Sequence, residues 1–286
     1  MQRKIALLSD VHGTVTALQA VCDELKREEI TDCWYLGDLF LPGPGGSELL
    51  ELLASVGTSI ILQGNWDSSI REILNGEFDL DDPTDIYFGK LVEYLLAQKN
   101  SEKIEAITVA SLTETITVNG LRICLAHHTP TCNYGRFLEQ SAASENFDEA
   151  VPTDCDIYIY GHIHHQLLRY TSADQAVINP GSIGQPFLRH APLCQDLRAQ
   201  YAILTITDEQ GWSVEFRKTP YDVEAELALA EQRNLPYLRI YEEQLHTSKI
   251  RTHDAAYLAP INEAMGYREQ VEKRFTKQLA KQKPLT

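Results

Sequence analysis

Three short apolar runs in the first 65 residues, each closed by a polar turn and separated by helical text, commit this chain to opening with a parallel sheet. "KIALLSD" reads as a buried strand over Lys4–Ser9 that ends in the turn "DVHGT". Thr14 is placed to cap a helix running to about Glu29, since Leu18, Val21, Cys22 and Leu25 share one helical face. "DCWYLGD" is a second strand and turn, "GSELLELLAS" a second helix and "TSIILQGN" a third strand. Strand, helix, strand, helix, strand is a βαβαβ unit, and the fold class is α/β.

From Ile70 to about Leu112 the text turns polar, acidic and helical, an excursion over the sheet (70–112). "TETITVNGLRICLAHH" then holds two alternating runs joined by Asn119-Gly120, a strong two-residue hairpin signal. "CDIYIYGHIHH", "AVINPGS" and "YAILTITDEQGWSVEFRKT" add further strands, so an α+β layering is expected after the parallel start. The tail is helix-rich from Tyr221. The expected partition is a domain over 1–220 and a helical extension over 221–286 packed on it.

Composition narrows the function. A net charge of −16 argues against a phosphate-backbone binder, which carries a basic face, but leaves room for a small phosphorylated substrate if metal ions make one pocket positive. Six scattered cysteines without a C-x-x-C pair read as reduced thiols of a cytoplasmic protein. No apolar run reaches a membrane span, and the apolar stretch after the N-terminal basic residues is too short for a signal peptide. A homo-oligomer is compatible with the chain, and no stable nucleic-acid or membrane partner is expected.

Five separated stretches place hard-metal ligands just after a strand. They are "SDVHG" with Asp10 and His12, "LGDL" with Asp38, "QGNWD" with Asn65, "LAHH" with His127, and "YGHIHH" with His162 and His164. In open α/β sheets the ligand crevice lies beyond the carboxyl ends of the strands, so residues distant in sequence converge there. Their nitrogen and oxygen donors suit manganese, iron or zinc, and the lack of thiolates disfavours a structural zinc site. Taken singly, each stretch reads as a turn, a cap or a surface histidine. Their order and placement together point to one centre.

The series D-x-H, G-D, G-N-x-D, H and G-H-x-H over about Ile5–Ser182 resembles the calcineurin-like metallophosphoesterases. Within that family "ALLSDVHGTVTALQAV", "QGNWD", "YGHIHHQLLRY" and "NPGSIGQPF" are similar to a compact bacterial branch that includes streptococcal asymmetric diadenosine tetraphosphate hydrolases and phosphodiesterases. The resemblance implies a four-layer sandwich of two mixed sheets flanked by helices. It also implies two divalent cations, manganese or iron first, with zinc, nickel or magnesium as alternatives. Asp10, His12 and His164 would hold one, Asn65, His127 and His162 the other, with Asp38 between them. The implied reaction is in-line attack by a metal-bridging hydroxide on a phosphodiester or phosphoanhydride, with diadenosine tetraphosphate, cut to AMP and ATP, as candidate substrate. A phosphomonoesterase, a protein phosphatase and a catalytically silent scaffold are the alternatives.

One motif departs from the family. Its commoner form, G-N-H-[DE], carries a histidine where this chain has Trp66, whose indole N–H only donates a hydrogen bond. That suggests a good leaving group, or a proton donor from elsewhere; His128, beside His127, is the catalytic candidate, with His165 behind it. Gly13 is expected to offer a helix-opening amide to a phosphate oxygen, and Arg136 or Arg189 to reach a distal phosphate. Tyr134 is expected to stack on a base, Asp67 to orient the loop, and Asn179–Ser182 to shape the pocket.

Overall fold

The computed structural model describes residues 2–187, 190, 192–193, 195–209 and 211–282, with backbone only over 279–282. The chain opens with β1 (Arg3–Leu8), α1 (Val15–Leu25), β2 (Asp32–Tyr35), α2 (Glu48–Ser55) and β3 (Thr58–Ile61). The three strands pair in parallel, β1 with β2 and β2 with β3, as the alternation requires. The excursion consists of α3 (Asn65–Asn75), α4 (Pro83–Leu96) and α5 (Ser101–Ile107). It starts earlier than expected, because α3 begins at Asn65 itself.

The hairpin follows as β4 (Thr113–Val118) and β5 (Leu121–Ala126), with Asn119 and Gly120 both at positive φ, the geometry that a tight two-residue turn demands. Next come α6 (Ser144–Ala150), β6 (Ile157–Tyr160), β7 (Gln166–Tyr170), β8 (Ala176–Pro180), β9 (Ala199–Ile206) and β10 (Trp212–Thr219). The tail forms α7 (Val223–Gln232), α8 (Leu238–Thr247), α9 (Ala255–Met265) and α10 (Tyr267–Gln282).

The strands make two five-stranded mixed sheets, in the orders β10-β9-β1-β2-β3 and β4-β5-β6-β8-β7. Period-two alternation divides each central strand between two cores. Ile5 and Leu7 of β1 meet Ile157 and Ile159 of β6 between the sheets, whereas Ala6 and Leu8 face Leu18 and Val21 of α1. On the far side Tyr158 and Tyr160 pack with Phe147 of α6. The result is helix, sheet, sheet, helix, the expected four-layer α/β sandwich. Leu258, Val271 and Phe275 of the tail lie in the same core as Leu18 and Leu91, with α9 and α10 packed on α4.

Two local expectations change. α1 ends at Leu25 rather than Glu29: the amides of Arg27 and Glu28 bond three residues back, to Glu24 and Leu25, in a tightened last turn. Thr14 occupies the cap position without capping; its hydroxyl pairs with Tyr241 Oη at 3.1 Å. The cap comes instead from Glu226 of α7, which accepts from Val15 N at 3.2 Å and from Thr16 N and Oγ1 at 2.7 Å each. A buried carboxylate at the positive end of α1 is favourable there, although burial raises its pKa. No described helix is long and apolar enough to cross a membrane.

Candidate metal centre

The carboxyl ends of β1, β2, β5 and β6 bring Asp10, His12, Asp38, His127, His162 and His164 together with Asn65 at the start of α3. The loop after β1 is tied to the loop after β2 by Asp10 N to Gly37 O and His12 N to Asp38 O, both 3.0 Å. Asp10, His12, Asp38, His162 and His164 all sit at positive φ, between 50° and 67°. Left-handed backbone at non-glycine residues costs on the order of 1–3 kcal/mol each and persists where its surroundings over-determine it. Five such residues at one point mark the site independently of any motif.

Each of the four candidate-ligand histidine rings is oriented by a backbone carbonyl. His12 Nδ1 donates to Leu41 O at 2.9 Å, His127 Nδ1 to Leu36 O at 2.8 Å, and His164 Nδ1 to Gln185 O at 2.5 Å. His162 uses the other nitrogen, Nε2 donating to Gly135 O at 2.8 Å. Because a carbonyl can only accept, each ring keeps its proton outward and turns the remaining nitrogen to the centre.

Two sets of inward atoms lie within 4.8 Å of one another: Asp10, His12 and His164, and Asp10, Asp38 and His127. Asp38 Oδ2 stands 3.6 Å from His12 Nε2 and 3.4 Å from His127 Nε2, between the two. One carboxylate oxygen, not two, faces both sets. Its partner Oδ1 accepts from Trp66 N at 2.8 Å. Asn65 Oδ1 approaches His127 Nε2 at 3.1 Å and His162 Nδ1 at 2.8 Å, so Asn65 and His162 extend the second set.

The electrostatics favour cations. Burial opposes the charge on Asp10, yet His164, then His127 and His12, hold its carboxyl well below the usual range, and Asp38 is lowered chiefly by His127 against the same burial. Burial pushes His12 and His162 down to about 4, so both are neutral lone-pair donors at neutral pH. For His127 burial is outweighed by Asp38, and its pKa rises to about 9. The donor set fits divalent metal on two observations. Asp10 Oδ1 is buried without a hydrogen-bond partner. His12 Nε2 faces His164 Nε2 at 3.1 Å, and His162 Nδ1 faces Asn65 Oδ1 at 2.8 Å, acceptor against acceptor, which a cation between them would relieve.

Asp67 is the clamp behind this arrangement. Its Oδ2 accepts from Asp38 N at 3.0 Å and Gly64 N at 2.9 Å, tying the loop after β2 to the start of α3. Burial and then the Asp38 charge raise its pKa to about 7. Asn179 and Ser182 brace the far side, Asn179 Nδ2 donating to Gly161 O at 2.5 Å and Ser182 Oγ to Asp10 O at 2.8 Å. Trp66 lies edge-on to His12, ring centroids 5.3 Å apart, and packs on Phe88 of α4 at 4.5 Å.

Other sequence candidates fall elsewhere. Gly13 is buried and its N–H donates to Leu39 O at 2.9 Å, while Glu226 occupies the amides of Val15 and Thr16, so among the described residues these three amides already have partners. His128 is fully buried, with neither ring nitrogen bonded, and burial, then His162 and His127, push its pKa down to about 3. It therefore carries no imidazolium near neutrality. His165 is turned to Phe187 O. Arg136 pairs with Glu139 at 2.6 Å and lines a groove beside His162. Tyr134 is exposed on a separate hollow with Thr129 and Phe137. Arg189 lies outside the described residues.

A cavity of about 220 Å³ opens on Asp38, Asn65, Trp66, His162 and His164. The rest of its wall comes from Gln185 and Phe187 and from Ile250, Thr252 and His253 between α8 and α9. Sequence reasoning missed this part of the wall, because no spacing rule links residue 253 to strand ends 90 and more residues upstream.

The calcineurin-like phosphoesterase superfamily domain matches residues 3–209, well over half of the chain. This chain belongs to that superfamily. An uncharacterized protein of Methanocaldococcus jannaschii is 24% identical over 253 residues, covering 81% of this chain and 93% of its own. A symmetrical bis(5'-nucleosyl)-tetraphosphatase of Klebsiella pneumoniae is 35% identical over 72 residues, 24% of this chain and 26% of its own. Among solved structures, a hypothetical protein from Pyrococcus horikoshii superposes with TM-score 0.67 at 18% identity, covering 86% of this chain and 99% of that one. A metallophosphoesterase from Sphaerobacter thermophilus gives 0.62 at 21% identity, covering 87% and 100%. These two share the superfamily fold with this chain.

Proposed function

We propose that this superfamily member is a phosphohydrolase that works with two divalent cations and cleaves phosphodiester or phosphoanhydride bonds of nucleotides. The observation that carries the reading is the pair of candidate ligand sets that share Asp10, with Asp38 beside both, each of the four rings holding one nitrogen outward on a backbone carbonyl and turning the other to the centre. Asp10, His12 and His164 would hold one cation, Asn65, His127 and His162 would hold the other, and Asp38 would be shared. Manganese and iron are the first candidates. When bound, such cations supply Lewis-acid polarisation of a phosphoryl oxygen and lower the pKa of bound water.

The chain's own residues do the rest. Asp10 and Asp38 remain ionised and act as ligands rather than proton carriers, while His12 and His162 are already neutral. Asp67 keeps Asp38 and Asn65 in register, and the walls of the cavity limit access of bulk water to the reacting phosphorus. Trp66 supplies no acid, which favours substrates with a good leaving group such as a nucleotide phosphate. The short stretch shared with the symmetrical Klebsiella tetraphosphatase supports a dinucleoside polyphosphate as first candidate, whereas asymmetric cleavage is favoured by the motif resemblance alone. A cytoplasmic setting, where the five described cysteines stay reduced, goes with this reading.

The test is metal analysis of the purified protein together with product identification from diadenosine tetraphosphate. Asymmetric attack gives AMP plus ATP, symmetric attack two ADP. Asp38→Ala and His127→Ala are expected to abolish turnover. Full activity in metal-stripped protein, or in both variants, sinks the reading. Preference for p-nitrophenyl phosphate over bis-p-nitrophenyl phosphate overturns the diesterase part alone.

A further inference from the structure

Breaking a P–O bond leaves charge on the departing oxygen, and an alcohol or phenol leaves readily only if a proton reaches it. Among the described residues the titratable side chains lining the cavity are Asp38, His162, His164 and His253. The first three belong to the proposed metal centre, and the ring protons of His162 and His164 point away, to Gly135 O and Gln185 O. Trp66 offers only an indole N–H, which is not exchanged as an acid near neutrality. His253 is different. It is exposed at the rim, open to both cavity and solvent, and imidazole is the side chain suited to proton transfer near neutral pH.

Its backbone is also held in place. Arg251 donates to Glu243 at 2.9 and 3.2 Å and to Asp254 at 2.8 Å, and its guanidinium lies 4.0 Å over the Tyr257 ring. Thr252 is buried, and Asp254 caps α9 by accepting from Tyr257 N at 3.2 Å. Ser248 Oγ donates to Pro186 O at 3.4 Å, joining this loop to the segment that carries Gln185 and Phe187. Groups needed for catalysis are best placed on supported backbone such as this.

We propose that His253 is a catalytic residue: its imidazolium donates the proton that the leaving oxygen of the substrate requires. The oxygen of water forms the new bond to phosphorus, and the bond from phosphorus to the leaving oxygen breaks with its electron pair retained by that oxygen. The leaving oxygen takes the imidazolium proton. The proton lost by water goes to solvent, and solvent reprotonates the neutral ring at the rim. The inference rests on the phosphohydrolase reading and adds a donor supplied by the helical tail.

The experiment compares manganese-loaded wild type and His253→Gln on thymidine 5'-(4-nitrophenyl) phosphate and on thymidine 5'-phenyl phosphate, whose leaving group is the poorer. General-acid assistance is typically worth about 100-fold or more. The expected result is a loss of that order in kcat on the phenyl ester and a smaller one on the nitrophenyl ester. The ratio of the two rates then widens by at least about tenfold, with metal content equal to wild type. Equal losses on both esters, no loss on either, or loss of bound metal overturns the proposal. A second readout uses magnesium-loaded protein: the imidazole resonance missing from His253→Gln is expected to shift when thymidine 5'-monophosphate is added, and a fixed resonance overturns the assignment. If metal-loaded wild type cleaves neither ester, the diesterase part of the reading fails and takes this proposal with it. Wild-type turnover with an unaltered ratio in the variant removes His253 alone.

Discussion

Gly64→Ala puts one methyl group against the carboxylate on which the centre turns. Gly64 has φ −90° and ψ −179°, an extended geometry open to alanine, so the substitution adds no backbone strain. The obstacle is Asp38. A Cβ at residue 64 would lie 2.0 Å from Asp38 Oδ1, 2.4 Å from its N and 2.7 Å from Cγ. Ordinary contact begins near 3.4 Å, so Asp38 must retreat by more than about 1 Å or α3 must shift. Either movement disturbs the bonds from Trp66 N to Asp38 Oδ1 and from Asp38 N to Asp67. Overpacking of this kind costs about 1–3 kcal/mol, and a 1 Å misplacement of a reacting group costs on the order of 100-fold in rate. The assay pairs metal content with diesterase rate and thermal melting, using Gly57→Ala as control. Gly57 has φ +72° with nothing within 4 Å, so its substitution costs about 1–2 kcal/mol of strain far from the centre. Gly64→Ala is expected to lose bound metal and about 100-fold in rate, whereas the control melts earlier with both retained. Wild-type metal content and rate in Gly64→Ala would refute the placement of Asp38 at the heart of the centre.

Glu226→Ala removes the acceptor for Val15 N, Thr16 N and Thr16 Oγ1 and is expected to cost about 2–4 kcal/mol in urea unfolding; a change below about 0.5 kcal/mol contradicts the tertiary cap. In metal-stripped protein, Asp67→Asn tests a pH dependence. The folded pKa of Asp67 is raised from 3.8 to about 7, so its contribution to stability is complete below pH 3.8 and is lost as pH rises through about 7. The asparagine variant is expected to show a shallower fall over that window, and parallel curves count against it. A chain ending at residue 220 strips Leu258, Val271 and Phe275 from the core beneath α1 and α4 and lacks Glu226. It is expected to lose cooperative unfolding by calorimetry, and a sharp transition near the full-length Tm argues for an independent 1–220 unit.

The motif residues were legible because each follows a strand, and strands reveal themselves by local apolar runs. Asn119-Gly120 was legible for a similar reason, since few residues other than Asn and Gly tolerate the φ that a two-residue hairpin requires. Gly13 misled because a glycine opening a helix signals available amides only while nothing else bonds them, and here Leu39 and Glu226 do. His128 misled through adjacency. The neighbour of an inward His127 is buried against the rings of His162 and Tyr160, with neither ring nitrogen hydrogen-bonded among the described residues.

By itself the sequence determined the parallel opening unit, the series of candidate ligands and the presence of Trp66 after Asn65, all properties of short segments and their order. Only the tertiary structure decided that a single oxygen of Asp38 faces both candidate ligand sets, that Glu226 caps a helix about 210 residues upstream, and that His253 lines the same cavity as Trp66. Those outcomes depend on packing between distant segments, where burial and the demand for hydrogen-bond partners select a neighbour that no local periodicity encodes.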